Sequence, residues 1–327
     1  MQTMTDVPLH KGIGSIQFLP VSLFASVMGI SGLSLAWRQA SKLFGSSPVI
    51  ADSIGILAVL IFIAISAGFL SKWILYPHKV KAEFLHPITG NFFGTITISM
   101  LLLSSIIGAY SEPAGQVVWI IGTILTLAFC FIIVTRLLNG NLDPGHVVPP
   151  WLIPGVGTLD IAVAGGTMPF PWANEINLLS LAVGAIVALI FLTMILSRLI
   201  HHAPLPAGLV PSMMIMIAPF EVGFLGYTNM QQKVDSFASI LFYFGLFLFI
   251  VLFFKVFRKS NPFSASWWAI SFPIAALSNA ALEYANFVDS WLLVGISAVV
   301  LAFLSIVLAV LLVRTLILLF SGNLLKG

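Results

Sequence analysis

The feature that most restricts this chain is a series of apolar runs, each about 20 residues long, recurring from one end to the other with short turns between them. A helix of that length matches the roughly 30 Å hydrocarbon thickness of a bilayer. The runs read as ten spans, at positions 18–37, 50–76, 91–109, 116–137, 150–169, 177–199, 208–228, 235–257, 266–285 and 290–320. Turn residues separate them: Gly45-Ser46-Ser47-Pro48, Asn139-Gly140-Asn141, Asp143-Pro144-Gly145 and Asn261-Pro262. The runs are continuous rather than alternating, which excludes a β-barrel. Composition closes the soluble alternative. Of 327 residues, 8% are charged and 59% hydrophobic, whereas a soluble chain is roughly 25% charged. The expected fold is an all-α integral membrane protein: a tail over 1–17, one transmembrane domain over 18–320, and a second tail over 321–327.

Charge placement gives the topology. One side of the ten-span reading collects Lys11, Lys72, Lys79, Lys81, Arg136, Arg198, Lys255, Arg258, Lys259, Arg314 and Lys326; the other has Arg38, Lys42 and Lys233. Cytoplasmic loops carry the excess of Lys and Arg, so both termini are expected inside, as an even number of spans requires. A bacterial inner membrane suits this pattern. The first run is long enough to span, so no cleaved leader is expected. A net charge of +3 without a basic stripe argues against nucleic acid. One cysteine, Cys130, allows no internal disulfide and by itself no metal site.

Odd and even spans differ. Even spans are plainly apolar, as in Ile186–Leu196 and Leu241–Phe254. Odd spans hold Pro, Gly and polar residues: Pro20, Ser26, Gly29, Ser31 and Gly32 in the first, Gly94 in the third, Pro154, Gly155, Gly157 and Asp160 in the fifth. The seventh has Pro211, Pro219 and Glu221, and the ninth Ser271, Phe272, Pro273, Ser278 and Asn279. Such residues are tolerated in a span where protein or a water-filled cavity satisfies the freed backbone groups. The alternation suggests five helical hairpins, odd helices forming an inner ring around a pore and even helices an outer ring facing lipid. Close packing through small residues is the plainer explanation of the same residues.

Catalytic motifs are scarce, and no enzymatic activity, cofactor or metal is expected: there is no Walker A loop, HExxH or CxxC. Gly29-Ile30-Ser31-Gly32 matches the G-x-S-G of intramembrane serine proteases, but every histidine falls at an expected loop or cytoplasmic end, out of reach of Ser31. His201-His202 reads as a loop or interface pair. Asp160 lies about 15 Å into its span, and Glu221 is similarly deep. Intramembrane carboxylates are costly and face an interior or a cavity. Each is either a proton-coupling or gating group, or a neutral acid that holds helices together through partners such as Thr158, Ser278 or Asn279. Pro273 is expected to kink the ninth span, placing the aromatic Phe272 where it can project into a central pathway.

Strings along the whole chain resemble the tellurite-resistance/dicarboxylate-transporter family, which includes bacterial TehA-type proteins, malate permeases, sulfite exporters and plant guard-cell slow anion channels. They are Phe24-x4-Gly29 with Leu33-Ser34-Leu35-Ala36-Trp37, then Lys81-Ala82-Glu83-Phe84 with His86-Pro87, and Leu152-Ile153-Pro154. Ile217-Ala218-Pro219 with Val222 and Trp267-Trp268-Ala269-Ile270-Ser271-Phe272-Pro273 complete the set. The resemblance implies a ten-helix protomer with its own pore, assembled as a homotrimer. It puts the pore-blocking phenylalanine at Phe272, the small inner-helix position at Gly29 with Phe24 nearby, and inner-helix prolines at Pro154 and Pro219. Asp160 and Glu221 depart from the expected pattern, since negative charge beside an anion route is unfavourable unless it is neutralised or faces away.

The resulting expectation is a gated channel for small monovalent anions such as chloride and nitrate. A pore without basic side chains at mid-depth binds anions weakly enough to release them. The alternative is a proton-coupled or exchange carrier of C4-dicarboxylates such as malate, or an exporter of sulfite- or tellurite-type oxyanions.

Overall fold

A computed structural model describes residues 15–140, 143–258 and 263–325. His10, Lys11, Asn141, Lys259, Asn261-Pro262 and Lys326, used above for topology and turns, lie outside the described residues, as does most of the 1–17 tail.

All regular structure among the described residues is helical. The α-helices are α1 (Ala25–Phe44), α2 (Pro48–Leu75), α3 (Pro77–Leu85), α4 (Gly94–Gly108), α5 (Glu112–Leu138) and α6 (Ile153–Gly165). They continue as α7 (Ala173–His201), α8 (Ala218–Gln231), α9 (Ser236–Val256), α10 (Ser271–Phe287) and α11 (Trp291–Phe320). Eight helical segments are long and apolar enough to cross a membrane, against the ten expected. The two that fall short are those through α6 and α10. The α part of α6 has 13 residues, and α10 is diluted by Ser271, Ser278, Asn279 and Glu283.

The two classes of span separate by burial. In α2, α5, α7, α9 and α11 only 22–39% of the most apolar window is inside the protein, against 72–78% in the segments through α1, α4 and α8. Leu60, Ile124, Ile186 and Ile306 are each more than half exposed. Helices apolar on every face, with such side chains on the outside, require lipid as solvent. Consecutive helices pack in pairs: α1 with α2, α4 with α5, α6 with α7, α8 with α9, α10 with α11. Each of α1, α4, α6, α8 and α10 also touches the next in that order, and α10 touches α1.

Every member of that cycle begins with a 3₁₀ turn: Val21–Phe24, Thr89–Phe93, Pro149–Leu152, Ala207–Ile217 and Ala265–Ile270 run directly into α1, α4, α6, α8 and α10. The kink expected at Pro273 falls beside such a change of helix type. The proline lies in the first turn of α10, just past the change from 3₁₀ to α. Pro154 and Pro219 occupy equivalent places in α6 and α8. The residues that open α6, α8 and α10 donate back into the 3₁₀ turn, Ile153 to Pro150, Ala218 to Ile215 and Ser271 to Trp268, so each proline sits where a continuous helix changes type.

The Lys81-Ala82-Glu83-Phe84 string forms a clamp under these turns. Lys72 Nζ donates to Glu83 Oε2 at 2.6 Å and to the Leu19 carbonyl at 2.7 Å, while the Val21 N–H donates to Glu83 Oε1 at 2.9 Å. Arg136 donates to the Phe84 carbonyl at 2.8 Å and stacks over its ring, and Trp151 Nε1 reaches the Pro87 carbonyl at 3.1 Å. The short α3 and the Pro87 that follows it thereby hold the starts of the α1 and α6 segments to the ends of α2 and α5. The side chains of Lys72 and Glu83 are only 4% and 16% exposed, and removing one partner strands the other charge. Lys72→Met and Glu83→Gln are each expected to destabilise the protein by about 3 kcal/mol. The double variant should recover part of that loss, as read by thermal unfolding in detergent.

Candidate functional site

Helices α1 and α10 approach closely because Gly29 and Gly32 leave room. A Cβ on Gly29 would meet the Ser271 Cβ at 2.4 Å, and one on Gly32 the Ala275 Cβ at 2.6 Å. The polar residues of α10 then bind across the seam. Ser271 Oγ donates to the Ala25 carbonyl at 3.0 Å, and Asn279 Nδ2 to the Gly32 carbonyl at 2.9 Å. This contact holds Phe272, which is 6% exposed, in the middle of the helix cycle.

Two cavities meet at that ring. The larger, about 290 Å³, is lined by Gly32, Arg38, Gln39 and Lys42 of α1, with contributions from α4, α6, α8 and α10. The smaller, about 20 Å³, is lined almost wholly by apolar groups, among them Met28, Phe92, Ile153, Ile215 and Trp268. Phe272 lines both, and no other described residue does. In each of the five segments the residues on the small cavity precede those on the large one. All five segments therefore run in the same direction past Phe272.

The larger cavity is charged. Arg38 and Lys42 line it together with Asp160 and Glu283. Arg38 Nη2 pairs with Asp52 Oδ1 at 3.0 Å, and Thr228 Oγ1 donates to Glu283 Oε1. Asp160 is 2% exposed and its Oδ2 has no hydrogen-bond partner among the described residues. The partners expected for it are engaged elsewhere or stand apart. Thr158 donates to the Pro154 carbonyl, Asn279 to those of Gly32 and Ala275, and Ser278 Oγ is unpaired.

Among the other singled-out residues, Pro273 lines the small cavity. Phe24, Gly29, Pro154, Pro219 and Glu221 line neither. Phe24 packs edge-on against Phe62 and Phe69 of α2, at 5.9 and 6.0 Å between centroids. Glu221 is turned away from the cavities toward α9, where a Cβ on Gly245 would lie 2.0 Å from its Oε1. Ser31 Oγ is fully buried and has no hydrogen-bond partner among the described residues, so no described histidine activates it in this geometry.

Sequence reasoning missed Glu283, Gln39 and the cavity positions of Arg38 and Lys42. The signal was present as helical spacing. Phe272, Ala276, Asn279 and Glu283 recur at three- and four-residue intervals on one face of α10, as do Gly32, Leu35, Gln39 and Lys42 on α1.

With this geometry in place, comparison with known proteins is informative. The family model for SLAC1, the voltage-dependent anion channel, matches residues 19–316. The chain belongs to the SLAC1 family. Similar proteins include a tellurite resistance protein TehA homolog of Haemophilus influenzae, 26% identical over 93% of this chain and 92% of that one. An uncharacterized transporter of Methanocaldococcus jannaschii is 28% identical over 77% of this chain and 81% of its own length. The guard cell S-type anion channel SLAC1 of Arabidopsis thaliana is 23% identical over 83% of this chain, a stretch that covers half of the plant protein. The SLAC1 family is one of channels and transporters rather than enzymes, and this member is a multi-pass membrane protein.

Cysteine labelling can test which cavity communicates with water. The native Cys130 is 3% exposed, so background reaction should be low. Ser105→Cys and Asn229→Cys, facing the larger cavity, are expected to react with a small water-soluble thiol reagent. Thr95→Cys, facing the smaller one, should stay unreactive while Phe272 is intact. Mass spectrometry of the labelled protein reads all three.

Proposed function

We propose that this protein is a passive, gated anion channel whose pore runs through its own protomer and is closed by Phe272. The observation that carries the reading is the position of Phe272 as the single side chain shared by two cavities in series. An aromatic ring at such a neck stops flow by filling it, and a rotamer change reopens it.

The ten-helix architecture belongs to the same proposal. The five pairwise packings and the closed contact cycle fit five hairpins, with α1, α4, α6, α8 and α10 around the pore and the five long helices outside. The short α6 is adequate in this scheme. Its 13 α residues and four-residue 3₁₀ lead-in cover roughly 28 Å at 1.5 and 2.0 Å per residue. Transmembrane residues 18–320 with both termini cytoplasmic, in a bacterial inner membrane, fit the distribution of Lys and Arg. A trimer with one pore per protomer rests on the family resemblance.

Anion preference follows from the lining. The small cavity has no charged side chain, so an ion passing Phe272 sheds water without finding a tight counter-charge. The five parallel segments direct their N-termini toward that end, and the aligned peptide dipoles put partial positive charge there. Weakly hydrated anions such as nitrate should pass more readily than chloride. Arg38 and Lys42 raise anion concentration at the opposite mouth.

One observation favours a carrier instead. Asp160, buried on the larger cavity with an unpaired oxygen, is placed to exchange a proton with a passing dicarboxylate or oxyanion. The two readings separate by current. In planar bilayers, Phe272→Ala should carry ohmic current many times larger than wild type, larger in nitrate than in chloride. Equal and negligible current in both proteins, with pH-driven malate or sulfite uptake into liposomes that Asp160→Asn abolishes, would establish the carrier.

A further inference from the structure

Outside the pore, the side chain least explained by the fold is Arg198, near the end of α7. The residue is 8% exposed, yet its Nε and Nη1 have no hydrogen-bond partner among the described residues. It joins no ion pair there either. A buried guanidinium without a counter-charge costs several kcal/mol. Such a group in a membrane helix implies an anion supplied from elsewhere.

Arg198 lines a groove of about 660 Å³ on the outside of α7, walled by Val147, Leu189, Ile190 and Met194 and closed at one end by His202. Leu189, Ile190 and Met194 are 56%, 52% and 42% exposed on a helix that requires lipid as solvent. The anion that reaches Arg198 is therefore attached to something that lies along an apolar wall. In the proposed topology this end of α7 is in the cytoplasmic leaflet, where anionic lipids gather beside Lys and Arg. Asp143, beside the groove residue Pro144, accepts the Gly145 N–H through Oδ1 at 2.7 Å and forms no ion pair with Arg198.

We infer that the groove binds an anionic phospholipid, with the phosphate on Arg198 and an acyl chain along Leu189 and Ile190. The planar guanidinium donates two parallel hydrogen bonds to phosphate oxygens, and His202 stands at the headgroup. The site also touches the pore. The groove wall at Pro144 and Val147 leads directly into the 3₁₀ turn Pro149–Leu152, whose Trp151 packs edge-on against Phe191 of α7 at 6.0 Å. Ile153 and Val156, immediately beyond, line the small cavity beside Phe272. A bound lipid braces the entry to α6 and through it one wall of the neck.

The test uses the full chain purified in detergent and titrated with short-chain phosphatidylglycerol or phosphatidylcholine, followed by native mass spectrometry and thermal unfolding. Both lipids offer Arg198 a phosphate, but the choline cation of phosphatidylcholine cancels its charge, so wild type should prefer phosphatidylglycerol by about tenfold. Arg198→Gln should abolish the preference, and Arg314→Gln, a charge removed from another surface, should retain it. If Arg198→Gln folds poorly, Ile190→Trp fills the exposed groove with the guanidinium intact and should abolish the preference as well. Equal binding of the two lipids to wild type, or an undiminished preference in Arg198→Gln or Ile190→Trp, overturns the inference. Stabilisation by inorganic phosphate equal to that by the lipid would make this a free-anion site instead. A change in oligomeric mass on Ile190→Trp would show that a second copy of the chain covers the groove.

Discussion

The bilayer leaves no water for backbone N–H and C=O groups, and each element of this protein answers that constraint. Helices satisfy their own backbone, so the described chain is helical throughout. Irregular backbone survives only where protein surrounds it. The 3₁₀ turns that open α1, α4, α6, α8 and α10 carry buried residues such as Leu23, Phe92, Trp151, Ile217 and Trp268. The longer, plainer helices are much less buried. Polar side chains in the interior work under the same rule. Ser271, Asn279 and Trp119 spend their donors on carbonyls of neighbouring helices, which converts a polar cost into fixed helix positions.

Small residues set how closely those helices approach. At Gly115 a Cβ would meet Gly108 backbone at 2.5 Å, and at Gly184 it would meet the Gly155 carbonyl at 2.8 Å. Without a hydrophobic driving force between helices in lipid, such backbone proximity and its dispersion contacts supply much of the association energy. The α1–α10 seam at Gly29 and Gly32 is the closest of these approaches beside Phe272, and Gly29 itself lines neither cavity.

Charge is distributed by role. The Lys72–Glu83 pair is a structural lock at the base of the 3₁₀ turns. Arg38, Lys42, Asp160 and Glu283 give the larger cavity both basic and acidic side chains. Arg198, whose Nε and Nη1 are unpaired among the described residues, lines a groove on the outside of α7 rather than the pore-side cavities.

What the sequence determined by itself was periodicity and content. The run lengths fixed a helical membrane protein, the alternation of plain and polar spans marked which helices are buried, and the Trp-Trp-Ala-Ile-Ser-Phe-Pro string drew attention to Phe272. What only the tertiary structure decided was direction. Glu221 and Asp160 look alike in sequence, each an acid deep in a polar span, yet one faces α9 and the other the cavity. Glu283 and Lys42 escaped notice because each lies near the end of its span, where a charge appears ordinary. Pro273 reads as a kink, and the tertiary structure adds that it sits beside the change from 3₁₀ to α helix. Residue type and spacing encode which groups are buried. The rotation of each helix about its axis depends on contacts with its neighbours, which no single segment contains.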